Sequence, residues 1–134
     1  MIRDSPSDPP PKRVLVADDE PHIRRVLVTI LENDLFTVDQ VSDGDAAIER
    51  VREDVPYDFI LLDLMMPGAS GIEVLDEVRR NPTRLHTPVF ILTAKGQDTD
   101  RDAALARGAT DFLTKPFSPK KLLARIHEIL GDAN

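Results

Sequence analysis

One stretch constrains this chain more than any other: Phe59-Ile-Leu-Leu-Asp63-Leu-Met-Met-Pro67-Gly68-Ala-Ser-Gly71. Phe59 to Leu62 is an unbroken apolar run too short for a helix of its own, which suits a strand buried on both faces of a parallel sheet. One carboxylate, Asp63, falls where that strand ends. Pro67, Gly68 and Gly71 punctuate the turn that follows. Ser70-Gly-Ile-Glu73 has the S-x-x-E pattern of a capping box and predicts a helix start. The stretch therefore sets a charged group at the carboxyl edge of a sheet, where open α/β sheets bind their ligands.

Five such units follow one another along the chain. Arg13 to Ala17 is a first strand, and Asp18-Asp19-Glu20 leads into a helix opened by Pro21. Ile23, Val26, Leu27, Ile30 and Leu31 form one apolar helical face that runs to about Asn33. Phe36 to Val41 is a second strand, and Ser42 or Asp43 caps a helix through Val51. Tyr57 to Leu62 is the third strand, with a third helix over 71–80. Pro88 to Leu92 is the fourth strand. A short fourth helix runs from Asp98 or Thr99 to Arg107, with Gly108 as its C′ residue. Asp111 to Thr114 is the fifth strand, and Ser118-Pro119 opens a last helix carrying Leu122, Leu123, Ile126 and Leu130. Strict β-α alternation demands a parallel sheet with helices on both faces. Ala103, Ala104 and Ala106 make a smooth fourth helix that could pack on a partner, though core burial accounts for most of them.

The 134 residues suffice for one domain, and a domain of this size buries roughly 65% of its unfolded surface without staples. The lack of cysteine removes disulfides and thiolate zinc sites and fits a reducing compartment. No apolar stretch approaches the ~20 residues of a membrane span, and residues 1–6 lack a signal-peptide core. The expectation is a soluble cytoplasmic protein. Residues 1–12 hold four of the eleven prolines and read as a disordered leader, with 13–131 as the folded domain and 132–134 as a tail. The net charge of −7 repels a phosphate backbone, so nucleic acid is not expected as a direct partner.

Alternation brings every strand's carboxyl end to one edge. Asp18 and Asp19 follow the first strand, Asp63 ends the third, Thr93 follows the fourth and Lys115 follows the fifth. Three neighbouring carboxylates repel unless a cation joins them. An oxygen-only donor set favours Mg²⁺, which keeps waters and takes one or two carboxylates plus phosphate oxygens. A metal, an ammonium and a hydroxyl around a carboxylate are what in-line phosphoryl transfer requires. A carboxylate nucleophile would yield an acyl phosphate. His22, His86 and His127 stand near no carboxylate cluster and receive no catalytic role.

Four pieces together, Val16-Ala-Asp18-Asp19-Glu20, Leu62-Asp63-Leu-Met-Met-Pro67-Gly-Ala-Ser-Gly71, Leu92-Thr93-Ala94 and Lys115-Pro116-Phe117, resemble the receiver domain of bacterial two-component response regulators. The resemblance spans residue 13 to about 130. It implies a single flavodoxin-like (βα)5 domain, doubly wound, with sheet order 2-1-3-4-5, the order for which a chemotaxis receiver is the standard example. It implies that Asp63 takes a phosphoryl group from a histidine kinase or phosphotransfer protein, with Mg²⁺ on Asp18, Asp19, Asp63 and the Met65 carbonyl. Lys115 would pair with the phosphate and Thr93 would hydrogen-bond it. Phe112 matches an aromatic switch position, and the Lys115–Pro116 bond is implied to be cis. Phosphate would then draw Thr93 inward, let Phe112 rotate, and bias the surface of the fourth helix, fifth strand and fifth helix between two states for an output partner or a homodimer. Such a domain is no enzyme toward other substrates; it promotes only its own Mg²⁺-dependent phosphorylation and dephosphorylation. Met65 and Lys95 occupy positions that tune acyl-phosphate hydrolysis in the family; neither activates water, which implies a long-lived phosphoaspartate.

Rival readings meet specific residues. An aspartyl phosphohydrolase wants a second Asp two residues after its nucleophile, where Met65 stands. A flavodoxin-like cofactor binder wants Ser, Thr and Gly after the first strand, where Asp-Asp-Glu-Pro stands. A receiver-like module that no longer takes phosphate would have lost a site residue, and none is missing. The chain stops at Asn134 just after the last helix, as expected of a stand-alone regulator or of a fragment.

Overall fold

The computed structural model describes residues 11–94 and 101–131. Five strands, β1 (Arg13–Ala17), β2 (Thr37–Val41), β3 (Phe59–Asp63), β4 (Val89–Thr93) and β5 (Asp111–Thr114), form one sheet of order β2-β1-β3-β4-β5. Every pairing is parallel, with Val14 opposite Phe59, Ile60 opposite Val89 and Phe90 opposite Asp111. The helices between them are α1 (Pro21–Asn33), α2 (Gly44–Arg52), α3 (Gly71–Arg80), α4 (Arg101–Ala106) and α5 (Pro119–Leu130).

Alternation along the strands divides the core in two. Val14, Val16, Phe59, Leu61, Phe90 and Leu92 face α1 and α5, where Leu27, Leu31, Leu122 and Ile126 close over them. Leu15, Ala17, Ile60, Leu62, Val89 and Ile91 face α2, α3 and α4, packed by Val51, Val74, Leu75, Val78 and Ala104. Burial on both faces is why these strands read as continuous apolar runs rather than alternating ones.

The expected boundaries shift by a residue or two, each for a local reason. β2 starts at Thr37 because the Phe36 N–H closes α1 instead, donating to Leu31 O at 3.0 Å across Leu35. Leu35 holds φ +70°, a left-handed position that usually takes glycine. β3 starts at Phe59 rather than Tyr57, whose hydroxyl instead donates to Asp39 at 2.7 Å. Pro88 precedes β4 and contributes its carbonyl, which accepts from Ile60 N at 2.9 Å. Asp43, not Ser42, caps α2 by accepting from Ala46 N. The capping box is present: Glu73 N donates to Ser70 Oγ at 3.2 Å and Ser70 N to Glu73 Oε1 at 3.0 Å. Gly108 ends α4 at φ +104° as expected, and Ala109 N reaches back to Ala104 O. Only Ala104 of the three α4 alanines is buried; Ala103 and Ala106 are exposed, against the expected burial, because a single-sided amphipathic helix turns just one of them inward. The expected α4 start at Asp98 or Thr99, Lys95, leader residues 1–10 and the tail 132–134 lie outside the described residues.

Candidate functional site

Parallel topology delivers Asp18, Asp19, Asp63, Thr93 and Lys115 to the carboxyl edge of the three central strands and β5. Asp18 is fully buried and Asp63 is 6% exposed. Lys115, whose backbone N–H donates to Thr93 O at 2.7 Å, turns its ammonium inward. That ammonium lies 2.8 Å from Glu20 Oε1, 3.1 Å from Asp18 Oδ2 and 3.6 Å from Asp63 Oδ2. The Lys115–Pro116 peptide is cis.

Asp18 is fixed from several directions. Its Oδ1 accepts from Glu20 N at 2.9 Å, and its backbone carbonyl accepts from the Arg24 guanidinium at 2.7 Å. Its Oδ2 is buried and accepts no hydrogen bond among the described residues, and the Lys115 ammonium 3.1 Å away meets it as an ion pair. Burial, with the Asp18 charge next in importance, pushes the Asp63 carboxyl up to about 7; the Lys115 charge opposes this and Asp19 adds to it. Burial works against the charged form of Lys115, yet its contacts with Glu20, Asp18 and Asp63 raise its pKa overall.

The donor chemistry suits a hard divalent ion. One carboxylate oxygen from each of Asp18, Glu20 and Asp63 lies within 4.8 Å of the others. Asp19 stands half-buried beside them and acts on Asp63 through a hydrogen bond and its charge. Glu20 is the residue whose role in the site the sequence left unassigned. Its partner Lys115 is 95 positions away, and no spacing rule reaches that far.

Thr93 is buried on β4, two residues beyond Ile91 on the same face. Ile91 pairs in register with Phe112, so the hydroxyl and the ring stand one step apart along the sheet. Phe112 is already within the core, 3% exposed, beside Ala104 and Ala109. Met65 is 59% exposed, its side chain outside the site. His127 lies far from this edge and sits 2.6 Å from Asp34, joining α5 to the end of α1.

Residues 14–127 match the model of the response regulator receiver domain. The chain belongs to that family. It is a phosphorylation-dependent signalling module of the two-component type, with the CheY-like flavodoxin fold. It is 42% identical over 122 residues to the transcriptional regulatory protein ResD of Bacillus subtilis, an alignment covering 91% of this receiver and 49% of ResD. It is 42% identical over 119 residues to the phosphate regulon regulator PhoB of Escherichia coli, covering 89% and 52%. The chain thus spans about half the length of the curated relatives it matches. Among solved structures, the receiver of a Pseudomonas aeruginosa sensor histidine kinase, with magnesium coordinated in its active-site cleft, superposes at a TM-score of 0.83 with 28% identity, covering 92% of this chain and 100% of that one. The chemotaxis regulator CheY4 of Vibrio cholerae gives 0.82 with 29% identity, covering 90% and 99%.

Proposed function

We propose that Asp63 is the phosphoacceptor and that a histidine kinase or histidine phosphotransfer protein is the donor. The observation that carries this reading is a nearly buried carboxylate at the sheet's carboxyl edge, 3.6 Å from an ammonium and within a cluster of carboxylate oxygens. In the transfer, an Asp63 oxygen attacks phosphorus as the phosphorus–nitrogen bond of the phosphohistidine breaks. The bonding pair leaves with the imidazole nitrogen, and an acyl phosphate remains on Asp63.

Asp18, Asp19, Asp63 and the Met65 carbonyl would hold Mg²⁺, which when bound supplies positive charge against the phosphoryl oxygens. Lys115 neutralises a further oxygen, and Thr93 donates a hydrogen bond to another. Withdrawal of the Thr93 hydroxyl toward phosphate biases the packing around Phe112 and hence the face formed by α4, β5 and α5. Phe112 has no hydroxyl to exchange partners, so its two states differ in packing alone. That face meets an output domain or protein, or a second copy of the chain, and not nucleic acid directly.

Residues 13–131 make up the receiver, preceded by a leader over 1–12; the family match over 14–127 supports this division. We assign the protein to the cytoplasm; no helix among the described residues is long and apolar enough to cross a membrane. With Met65 two positions after Asp63 in the sequence and Lys95 two after Thr93, neither a residue that activates water, the phosphoaspartate is long-lived, outlasting a half-life of seconds in Mg²⁺. The domain turns over no other substrate.

Intact mass after incubation with Mg²⁺ and acetyl phosphate tests the reading. One added phosphoryl group on the wild type, lost with EDTA and absent from Asp63→Ala, is the expected result. An adduct that survives in Asp63→Ala overturns the assignment.

A further inference from the structure

We propose that Glu20 is a latch on Lys115, holding the ammonium off the phosphoacceptor until a phosphoryl group on Asp63 takes it over. This rests on the phosphoacceptor reading above and adds a positioning residue to it.

Three features of Glu20 point this way. It occupies the N-cap position of α1, yet its side chain makes no hydrogen bond to its own helix. Instead it crosses to Lys115, where it makes the shortest of that ammonium's three carboxylate contacts, 2.8 Å against 3.1 Å to Asp18 and 3.6 Å to Asp63. Finally, its side chain is 58% exposed while that of Lys115 is 12% exposed, so Glu20 is the partner free to swing into water.

The competition follows from the donor count. An ammonium has three N–H groups, and here three carboxylates lie within 4 Å of it and compete for its charge. Lys115 is anchored by its backbone to Thr93, so only side-chain rotation carries its ammonium toward Asp63. An acyl phosphate on Asp63 needs that ammonium, and to supply it Lys115 must give up its best contact. The Glu20 contact therefore favours the unphosphorylated state. Its size is that of a half-exposed ion pair, which sets the effect at about two- to fivefold in an equilibrium constant.

Two measurements on the full chain test the latch. The first is a double-mutant cycle of thermal stability in EDTA with Glu20→Gln and Lys115→Met. Glu20→Gln is expected to lower Tm by about 1–3 °C, and to lower it no further in the Lys115→Met background. The second is beryllofluoride affinity at saturating Mg²⁺, expected to be about two- to fivefold tighter for Glu20→Gln than for the wild type. Loss of stability together with tighter analogue binding is the signature of a latch. Absence of coupling in the cycle overturns it, as does equal or weaker analogue binding by Glu20→Gln. A wild type that binds no beryllofluoride sinks the phosphoacceptor reading itself and the latch with it; a wild type that binds normally beside an unchanged variant sinks the latch alone.

Discussion

The two edges of the sheet bury charge in opposite ways. At the carboxyl edge, carboxylates crowd one ammonium, and Asp18 Oδ2 accepts no hydrogen bond among the described residues. At the amino edge, two guanidiniums are wrapped in backbone carbonyls. Arg84, 4% exposed, donates to Val51 O at 2.9 Å, Glu53 O at 2.8 Å and Val55 O at 2.7 Å, and lies 5.1 Å from the Tyr57 ring centroid. Arg79 donates to the carbonyls of Gly108, Arg84, Leu85 and Thr87. These two guanidiniums satisfy the carbonyls around them and tie α2, α3 and the α4–β5 turn together. The carboxyl edge gathers like charges around one ammonium, and in the function proposed above a cation and a phosphoryl group would answer that charge.

Substitutions at the two edges should therefore have opposite signs. Arg84→Met is expected to cost the most, about 2–4 kcal/mol, because three carbonyls lose their donor at once. Chemical denaturation measures it, and Mg²⁺ affinity should not change; a neutral result would erase the contrast. Asp18→Asn is expected to weaken Mg²⁺ binding by about tenfold or more while leaving stability in EDTA equal or higher, as titration calorimetry and melting would show.

Asp63→Asn sharpens the point through pH. The folded carboxyl holds its proton up to about 7, against 3.8 for the ordinary group. Its contribution to stability is thus complete below about 3.8 and is lost as pH rises through about 7. In EDTA the variant and the wild type should melt together near pH 4. By pH 8 the variant should melt higher, by about 3–6 °C for ~1 kcal/mol of relieved repulsion. A gap that stays constant with pH would mean that Asp63 is not under that strain. The smallest effect belongs to Tyr57→Phe, about 0.5–1.5 kcal/mol for its bond to Asp39. Burial, then Asp39, pushes the Tyr57 phenol up to about 12, so that contribution should persist at pH 9 and fade as pH rises from about 10 through 12.

Much of this could be read from residue order, since the deciding features are local. Apolar runs mark strands buried on both faces, Ser70 and Glu73 build their box within four residues, and Gly108 ends α4 as its type suggests. Asp63 announced itself by falling at the end of such a run. What escaped were contacts across long separations. Arg84 sits in Asn81-Pro-Thr-Arg84-Leu, which reads as a surface turn, because nothing in the sequence says that the end of α2 will offer it three carbonyls. Glu20 reads as an ordinary first-turn acid until Lys115 arrives from β5. His127 and Asp34 meet 93 positions apart.

The loop after Asp63 is built with no clearance. A methyl group at Gly44 would come within 1.8 Å of Ala69 O, and one at Gly71 within 2.5 Å of Asp63 O, both immovable backbone. Gly68 adds a left-handed φ of +77° under the Asp45 carboxylate. Sequence drift in this loop is therefore channelled outward. Solvent-facing Met65 is free to diverge without a steric cost, while the glycines behind it admit no side chain.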